Sequence, residues 1–390
     1  MPDFNQTAVL DAFRSVLPQG GKLVALHEPS FAGNEWAYLK ECLDTGWVSS
    51  AGKYVDRFEQ GLADYVGAGR AVAVVNGTAA LHVCLLLVGV EQGDEVLVPS
   101  LTFIATANAV SYCGAIPHFV DSEERTLGLD PAKLADYLAE IGEVRAGGCF
   151  NKLTGRRIKA VVPMHTFGHP VDLDPLVEVC GRFKLELVED AAESLGSFYK
   201  GRHTGNLGRV SALSFNGNKV ITTGGGGAVM TNDEALGKQA KHLTTTARLS
   251  HKWSFIHDRV GFNYRLPNLN AALGCAQLEQ LPAFIKNKRD LAHRYAKAFA
   301  GLAGIRLFTE PDFAQSNYWL NVLLLDQADS TRRDALLDAT NHLGIMTRPA
   351  WTLMHKLPMF SACPRMDLAV AEDLECRLIN IPSSAKLGES

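Results

Sequence analysis

The alternation of short apolar runs with helix-forming segments is the feature that most limits how this chain can fold. Between residues 70 and 120, the strand-like runs RAVAVV, GDEVLVP and AIPHFVD are separated by NGTAALHVCLLLVGV and TFIATANAVSYCG. This alternation is typical of a mainly parallel sheet with helices on both faces. Four more runs, at 158–165, 185–190, 211–215 and 227–232, continue the pattern, so we expect a seven-stranded sheet in an α/β fold.

The pattern changes after about residue 281, which indicates a second domain. A segment rich in Lys and Arg near 282–300 is typical of a long helix, and α+β alternation follows it. We therefore expect an N-terminal arm at 1–25, a large domain at 26–281 and a smaller C-terminal α+β domain at 282–390, which the arm joins. A chain of 390 residues is long enough for two cores.

Composition and charge argue against several classes of partner. The net charge of −4 gives no electrostatic reason to expect nucleic acid or an anionic membrane. No run approaches the roughly 20 apolar residues of a membrane helix, and MPDFNQTAVLDAF is unlike a signal peptide. The eight cysteines are scattered without a CxxC pair, which favours reduced thiols. We expect a cytoplasmic protein with no nucleic acid or membrane partner.

Polar residues lie at or just beyond the ends of several predicted strands. They are Asn76–Thr78, His165, Asp190 and Ser214. Parallel sheets of this kind bind their ligands beyond the carboxyl ends of the strands. We therefore expect these residues to share one site.

Lys219 lies between the strand-like run SALSF and a block of four glycines in SALSFNGNKVITTGGGG. Consecutive glycines disfavour helix and strand, and they are tolerated where another surface approaches the backbone closely. An amine forms an imine with an aldehyde only when it is unprotonated, which requires a desolvated or cationic setting. We interpret Lys219 as the Schiff-base lysine for pyridoxal 5′-phosphate; the alternative is an ordinary solvated lysine.

Four other positions have both a cofactor role and a plainer alternative. Asp190 would pair with the pyridine nitrogen, worth roughly 5 kcal/mol at about 3 Å before desolvation, or would cap a helix. Gly77–Thr78 would bind a phosphate at a helix start, or form a simple turn. Ser214 would donate a hydrogen bond to the same phosphate, or bond to backbone. Phe103 would stack on the cofactor ring, or belong to the core.

The segment HTFGH places His165 and His169 four residues apart. It lacks the helical face on which the HExxH motif binds zinc, so we expect no metal and assign His165 to the lining of the substrate or cofactor site. The chain also lacks GxGxxG and GxxxxGK[ST] near these strands, which argues against a dinucleotide or P-loop enzyme.

Five segments in order resemble the nucleotide-sugar aminotransferases of the DegT/StrS type: NGTAALH, PSLTFIATANA, EDAAESLGS, SFNGNKVITTGGGG and GFNYRLPNLNAALG. The resemblance runs from about His27 to the C-terminus. It implies fold type I, the aspartate aminotransferase-like fold of pyridoxal phosphate-dependent transferases. It also implies a cofactor site in which Lys219 binds covalently, Asp190 meets the pyridine nitrogen and Glu193 lies near the ring hydroxyl, with Gly77, Thr78, Phe103, Ser214 and Asn216 around them.

The resemblance further implies a homodimer with a shared site. An asparagine from the neighbouring subunit reaches the phosphate in this family, and Asn263 in GFNYR matches it. Two departures stand out: Asn216-Gly217 replaces a frequent His-Pro, and Glu193 replaces a frequent Gln. Some relatives have histidine instead of the lysine and catalyse dehydration, so Lys219 favours transamination.

Within the family, the opening LHEPSFAGNEWAYLKECLDTGWVSSAGKYVDRFE resembles the enzymes of legionaminic acid and bacillosamine biosynthesis. Those enzymes transfer an amino group from L-glutamate to C4 of UDP-linked 4-keto-6-deoxy-GlcNAc. Candidate sugar and nucleotide contacts are the loop 47–53, with Trp47 and Ser49, and the segment TRPAWTLMHK at 347–356. Lys53 and Arg348 would meet the diphosphate, or be ordinary solvated charges. The alternatives are a sugar dehydratase or lyase, transamination at C3 of a dTDP-ketosugar, a non-catalytic regulator and a dehydrogenase.

Overall fold

The computed structural model describes residues 5–18 and 23–389. Its helices are α1 (Gln6–Val16), α2 (Glu35–Thr45), α3 (Lys53–Val66), α4 (Gly77–Leu87), α5 (Ile104–Tyr112), α6 (Pro131–Ile141), α7 (Leu173–Phe183), α8 (Glu234–Thr244), α9 (Asn268–Phe299), α10 (Ser330–His342) and α11 (Ala369–Arg377). Its strands are β1 (Arg70–Val74), β2 (Glu95–Pro99), β3 (Ile116–Val120), β4 (Gly142–Arg145), β5 (Gly148–Asn151), β6 (Arg157–Val161), β7 (Glu186–Asp190), β8 (Phe198–Tyr199), β9 (Arg202–His203), β10 (Val210–Ser214), β11 (Gly227–Thr231), β12 (Ile305–Leu307), β13 (Ala314–Gln315), β14 (Asn321–Leu325), β15 (Arg348–Pro349) and β16 (Leu378–Ile381).

The central sheet has the strand order β1-β11-β10-β7-β6-β2-β3. Strands β10, β7, β6, β2 and β3 pair in parallel, whereas β11 runs antiparallel to β1 and β10. The predicted seven-stranded, mainly parallel sheet is thus confirmed. A hairpin of β4 and β5 extends it beside β6 and was not predicted, because its short strands contain polar and exposed residues instead of an apolar run.

Alternate residues of the strands face two different layers of helices. On β1, Val72 and Val74 belong to the core that includes residues of α4, α5 and α8. Their neighbours Ala71 and Ala73 belong to the core that includes residues of α3 and α9. Successive side chains of a strand point to opposite faces, so an apolar run without polar interruptions can be buried on both sides.

The C-terminal part of the chain builds a separate antiparallel sheet in the order β12-β14-β16-β15. The described part of the predicted arm forms α1, which packs here: the Phe13 ring lies 6.3 Å from that of Tyr295 and 5.2 Å from that of Phe299. Residues 1–4 and 19–22 of the arm lie outside the described residues. In the part of the chain that the structure describes, no helix has the length and apolar character needed to cross a bilayer.

One continuous helix, α9, connects the two parts. It has 32 residues and contains Pro282. The expected domain boundary after residue 281 therefore falls inside this helix, and its two halves would lie in different domains.

Candidate active site

A cavity of about 210 Å³ opens where β1, β7 and β10 end. It brings together residues that are far apart in sequence but were predicted to share one site. The predicted residues that line it are Gly77, Thr78, Phe103, Asp190, Glu193, Ser214, Asn216 and Lys219. Of the predicted cofactor residues, Asn263 alone does not line it.

Lys219 enters the cavity with only 13% of its side chain exposed. Its Nζ lies 3.1 Å from Glu193 Oε1 and 3.8 Å from the centre of a Trp319 ring. The indole N–H of Trp319 donates to the Asn218 carbonyl at 2.7 Å, which fixes the ring beside the lysine. The expected desolvated setting of Lys219 is therefore present.

Glu193 is fully enclosed beside the lysine. Its Oε2 accepts a hydrogen bond from the Phe167 N–H at 2.9 Å, and its Oε1 faces Lys219 Nζ. Burial raises the pKa of Glu193 to about 7, although the nearby Lys219 charge acts in the opposite direction. The site therefore contains a carboxyl group that can take up a proton near neutral pH.

Asp190 ends β7 and is held by two hydrogen bonds. Thr106 Oγ1 donates to its Oδ2 at 2.7 Å, and the Ala192 N–H donates to its Oδ1 at 3.2 Å. Burial raises the pKa of Asp190, whereas these hydrogen bonds and the Lys219 charge oppose that shift. A buried carboxylate is costly unless it meets a cation, so Asp190 fits a protonated ring nitrogen in the cavity.

The start of α4 forms the opposite wall. The Asn76 side chain caps it by accepting from the Ala79 N–H at 2.8 Å, and the N–H groups of Gly77 and Thr78 have no intrahelical carbonyl to bond. A Cβ on Gly77 would lie 2.8 Å from the Cβ of Ser214. These free donors, the helix dipole and the Ser214 hydroxyl therefore suit a phosphate.

The glycine block also allows a close backbone approach. A Cβ on Gly227 would lie 2.6 Å from the backbone of Asn76, so only glycine lets β11 pass beside the start of α4. This contact explains the last glycine of the quartet and confirms that the block marks a close approach.

Aromatic side chains surround the mouth of the cavity. Phe103 is 47% exposed and precedes α5, so it is not a core residue of that helix. Its ring lies 6.2 Å from the ring of Trp351, which in turn lies 4.9 Å from the ring of Phe167. The Phe103 side chain is free to cover one face of a flat ring in the cavity.

Sequence reasoning missed Thr106 and Trp319, and it named Trp351 only as part of the segment 347–356 assigned to sugar and nucleotide contacts. Thr106 lies within TFIATANA, three positions after Phe103, and that helical spacing was an available signal. Trp319 and Trp351 come from the C-terminal part of the chain. No local pattern links them to Lys219, because their contacts are formed only by the tertiary fold.

His165 does not line the cavity, contrary to expectation. Its Nε2 lies 3.1 Å from Glu189 Oε2, and its Nδ1 accepts from the Val171 N–H at 3.2 Å. The preceding residue, Met164, lines the cavity instead. Both ring nitrogens of His165 therefore serve the fold. Among residues 5–18 and 23–389, no group of three or more His, Cys, Asp or Glu could hold a metal ion.

Of the predicted sugar and nucleotide contacts, Trp47, Ser49, Lys53 and Arg348 do not line the first cavity, whereas Trp351 in the predicted segment 347–356 does. Trp47 and Lys53 line a second, outer cavity of about 510 Å³, together with Glu41, Tyr54 and Asn268. Lys53 pairs there with Glu41.

The remaining three candidates are exposed. Ser49 accepts the Asn268 N–H through its carbonyl at 2.6 Å, and Arg348 donates to Asn341 Oδ1 at 3.0 Å. Asn263 forms an isolated bridge with Thr245. None of these three residues lines the cavity around Lys219.

Comparison with known proteins agrees with the geometry. The GDP-perosamine synthase of Caulobacter vibrioides is 39% identical over 372 residues, covering 94% of this chain and 95% of the relative. The enzyme of the same name from Escherichia coli O157:H7 is 38% identical, covering 94% of each. The crystal structure of the aminotransferase TlmJ from Streptoalloteichus hindustanus superposes with a TM-score of 0.83 at 29% identity, covering 92% of this chain and 93% of the other.

The model of the DegT/DnrJ/EryC1/StrS aminotransferase family matches residues 29–390. This range includes the lysine, the glycine block, the helix start at Gly77 and the strand end at Asp190. The chain therefore belongs to the DegT/DnrJ/EryC1/StrS aminotransferase family, and it is a pyridoxal phosphate-dependent nucleotide-sugar aminotransferase.

Proposed function

We propose that the enzyme transfers an amino group from L-glutamate to C4 of a nucleotide-linked 4-keto-6-deoxy sugar, with Lys219 as the lysine that binds the cofactor. One observation carries the proposal: Lys219, Asp190, Ser214 and the start of α4 line a single cavity. Those groups are an amine, a carboxylate and a phosphate cradle, which are the three contacts that the cofactor requires.

Each end of the cofactor has a suitable partner in the cavity. When bound, pyridoxal phosphate supplies an aldehyde and a ring that withdraws electrons from the substrate carbon. The Asp190 carboxylate would keep a proton on the ring nitrogen. The Gly77 and Thr78 N–H groups and the Ser214 hydroxyl would hold the phosphate, and Phe103 would cover the ring. Glu193 would face the ring hydroxyl.

Lys219 would then act as the acid–base group of both halves of the reaction. Its Nζ, once free of the cofactor, removes the proton from the α-carbon of glutamate and later returns one to C4 of the sugar. The low exposure of Lys219 restricts water at this point. In the first half glutamate becomes 2-oxoglutarate, and in the second the ketosugar becomes an aminosugar.

The observations support two candidates for the nucleotide of the substrate, GDP and UDP. Two relatives at 39% and 38% identity are GDP-perosamine synthases, which favours a GDP-linked sugar. The LHEPSF segment and the NGNK sequence around Lys219 favour UDP-linked 4-keto-6-deoxy-GlcNAc. We take the GDP-linked 4-keto-6-deoxy sugar as the first substrate to test because the relatives match nearly the whole chain.

A homodimer with a shared site accounts for the position of Asn263. This residue is exposed and lies outside its own chain's cavity. The segment before it carries large exposed apolar side chains, which favour burial against a second copy: Trp253, Phe255, Ile256 and Val260. Asn263 would then reach the partner's phosphate site. The eight free thiols support a cytoplasmic location.

Mass spectrometry with a panel of GDP-, UDP- and dTDP-linked 4-keto-6-deoxy sugars tests the proposal. With glutamate present, we expect the 4-amino product and an equal amount of 2-oxoglutarate, with the GDP sugar converted fastest. A product formed without consumption of glutamate would show that the enzyme is a lyase or dehydratase. Conversion of none of these sugars with glutamate would contradict the proposed substrate class.

A further inference from the structure

Lys219 Nζ donates a hydrogen bond to Glu193 Oε1 at 3.1 Å. Among the residues that the structure describes, Glu193 is the one carboxyl group that accepts a hydrogen bond from this amine. Its side chain is 1% exposed, and that of Lys219 is 13% exposed. Such a pair is not a surface ion pair of small effect, because both groups are largely removed from water. A buried pair can hold its proton on either partner.

We infer that Glu193 is an acid–base partner of Lys219: it takes the proton that Lys219 must lose and keeps it within the site. This inference rests on the proposed role of Lys219 in binding the cofactor. It goes beyond a contact with the ring hydroxyl, because it assigns Glu193 a proton that moves.

The proton balance of the step is simple. The Lys219 ammonium passes one proton to the Glu193 carboxylate, which leaves a neutral amine and a neutral carboxylic acid. When the amine nitrogen bonds to the aldehyde carbon, its two remaining hydrogens leave with the aldehyde oxygen as water. No proton needs to enter or leave the cavity, and nothing is oxidised or reduced.

Two further features of the pair support this assignment. Burial is the largest influence on the Glu193 carboxyl and favours its neutral form, and the charge of Asp190 acts in the same direction. The Lys219 charge opposes both. When the lysine loses that charge, the opposing influence disappears, so Glu193 binds its proton more tightly at the moment it is needed.

The rest of the Glu193 environment is rigid. The Phe167 N–H donates to Oε2 at 2.9 Å, and the Asn317 amide donates to the Glu193 carbonyl at 2.8 Å. Trp319, whose backbone N–H donates to Asn317 Oδ1 at 2.7 Å, covers the other side of the lysine. The carboxyl group therefore stays within reach of Nζ.

The decisive measurement is the number of protons released when cofactor-free enzyme binds pyridoxal phosphate. Calorimetry near pH 7 in buffers of different ionisation enthalpy gives this number. Glu193→Gln preserves the side-chain volume and an acceptor for the Phe167 N–H, but cannot take a proton. A carboxyl group with a pKa of about 7 is already about half protonated at pH 7, so wild-type Glu193 can take up only about half a proton. We therefore expect this variant to release about half a proton more than the wild type for each cofactor bound.

An infrared difference spectrum gives a second readout. Cofactor binding should create the C=O band of a protonated carboxyl group in the wild type and not in Glu193→Gln. Glu279→Gln is the matched control, because Glu279 bonds Arg57 and Tyr38 at the surface and should leave both readouts unchanged. Equal proton release by the wild type and Glu193→Gln, or the band persisting in that variant, would overturn the inference.

Lys219→Ala separates this inference from the proposed function. If Lys219→Ala still bonded covalently to the cofactor, the proposed role of Lys219 would fail. If Lys219→Ala lost covalent binding while Glu193→Gln released the wild-type number of protons, only the role of Glu193 would fail.

Discussion

The inner cavity around Lys219 and the outer cavity around Lys53 differ in how a single chain builds them. In the inner cavity, Asp190 and Glu193 are buried and each accepts two hydrogen bonds from fixed groups. In the outer cavity, Lys53 is 67% exposed and pairs with the carboxylate of Glu41. The residues proposed for transamination are therefore fixed at the ends of the sheet's strands, whereas those proposed for substrate recognition are exposed.

The difference has an energetic cause. An unpaired buried charge costs several kcal/mol, so the partners of Asp190 and Glu193 must be placed accurately. An exposed ion pair contributes about 0–1 kcal/mol, and its side chains can rearrange for a ligand. Substitutions in the inner cavity should thus have large effects on the rate, and those in the outer cavity small effects on substrate affinity.

Lys219→Ala should have the largest effect. We expect no measurable turnover and no Schiff-base absorbance, because Lys219 is the one lysine that lines the inner cavity among residues 5–18 and 23–389. Absorbance spectra and the glutamate half-reaction measure both. A fully active alanine variant would show that transamination does not take place in the inner cavity around Lys219.

Asp190→Asn should come next, with a loss of at least about 10²-fold in kcat, since the lost ion pair is worth several kcal/mol. The fold and much of the cofactor affinity should remain, because the Asn oxygen can still accept from the Ala192 N–H and its amide can donate to the Thr106 hydroxyl oxygen. Steady-state kinetics and a cofactor titration check these two expectations. A wild-type rate would mean that the ring nitrogen is handled by another group.

Glu193 should make the cofactor-free protein less stable as the pH rises. Its pKa is raised from 4.5 to about 7 in the folded protein. The folded state therefore binds the proton more tightly, and the stability that this proton provides is lost between pH 4.5 and about 7. The loss should amount to about 3 kcal/mol in the free energy of unfolding. Urea unfolding at several pH values should show it as a steeper decline than in Glu193→Gln.

Thr106→Val should weaken the support of Asp190. A hydrogen bond to a charged group contributes about 1.5–3 kcal/mol, so we expect kcat to fall by about 10-fold or more. Thr106→Ser keeps the hydroxyl and should retain most of the rate. If both variants behaved alike, the methyl group and not the hydrogen bond to Asp190 would matter.

Lys53→Ala should have the smallest effect and tests the outer cavity. We expect KM for the sugar nucleotide to rise by about 2–5-fold, because an exposed charge contributes less than about 1 kcal/mol. The glutamate half-reaction should not change. Lys40→Ala, which removes an exposed lysine paired with Asp44, is the control and should leave KM unaltered. A large loss of kcat in Lys53→Ala would show that the outer cavity affects the rate of the reaction and not only the affinity for the substrate.

The contrast also explains what could be predicted from the sequence. Asp190, Ser214 and Gly77 were predictable because they lie at strand ends that a parallel sheet must bring to one edge. His165 was misplaced by one residue: beyond the end of β6, Met164 lines the cavity, whereas the His165 ring lies beside Glu189. The position of Trp319, and the approach of Trp351 to the cavity around Lys219, were not predictable, since packing between distant parts of the chain places both residues.

The single helix α9 runs from the large sheet to the C-terminal sheet, so it links the two parts of the molecule directly. At about 1.5 Å per residue, the stretch from Pro282 to Phe299 is roughly 26 Å long. A bend of about 10° at the proline, where the backbone hydrogen-bond ladder is already interrupted, would swing its far end by roughly 4 Å. Small rocking of the C-terminal half could therefore widen or narrow the entrance beside Trp351 without disturbing the strands that carry Asp190 and Ser214.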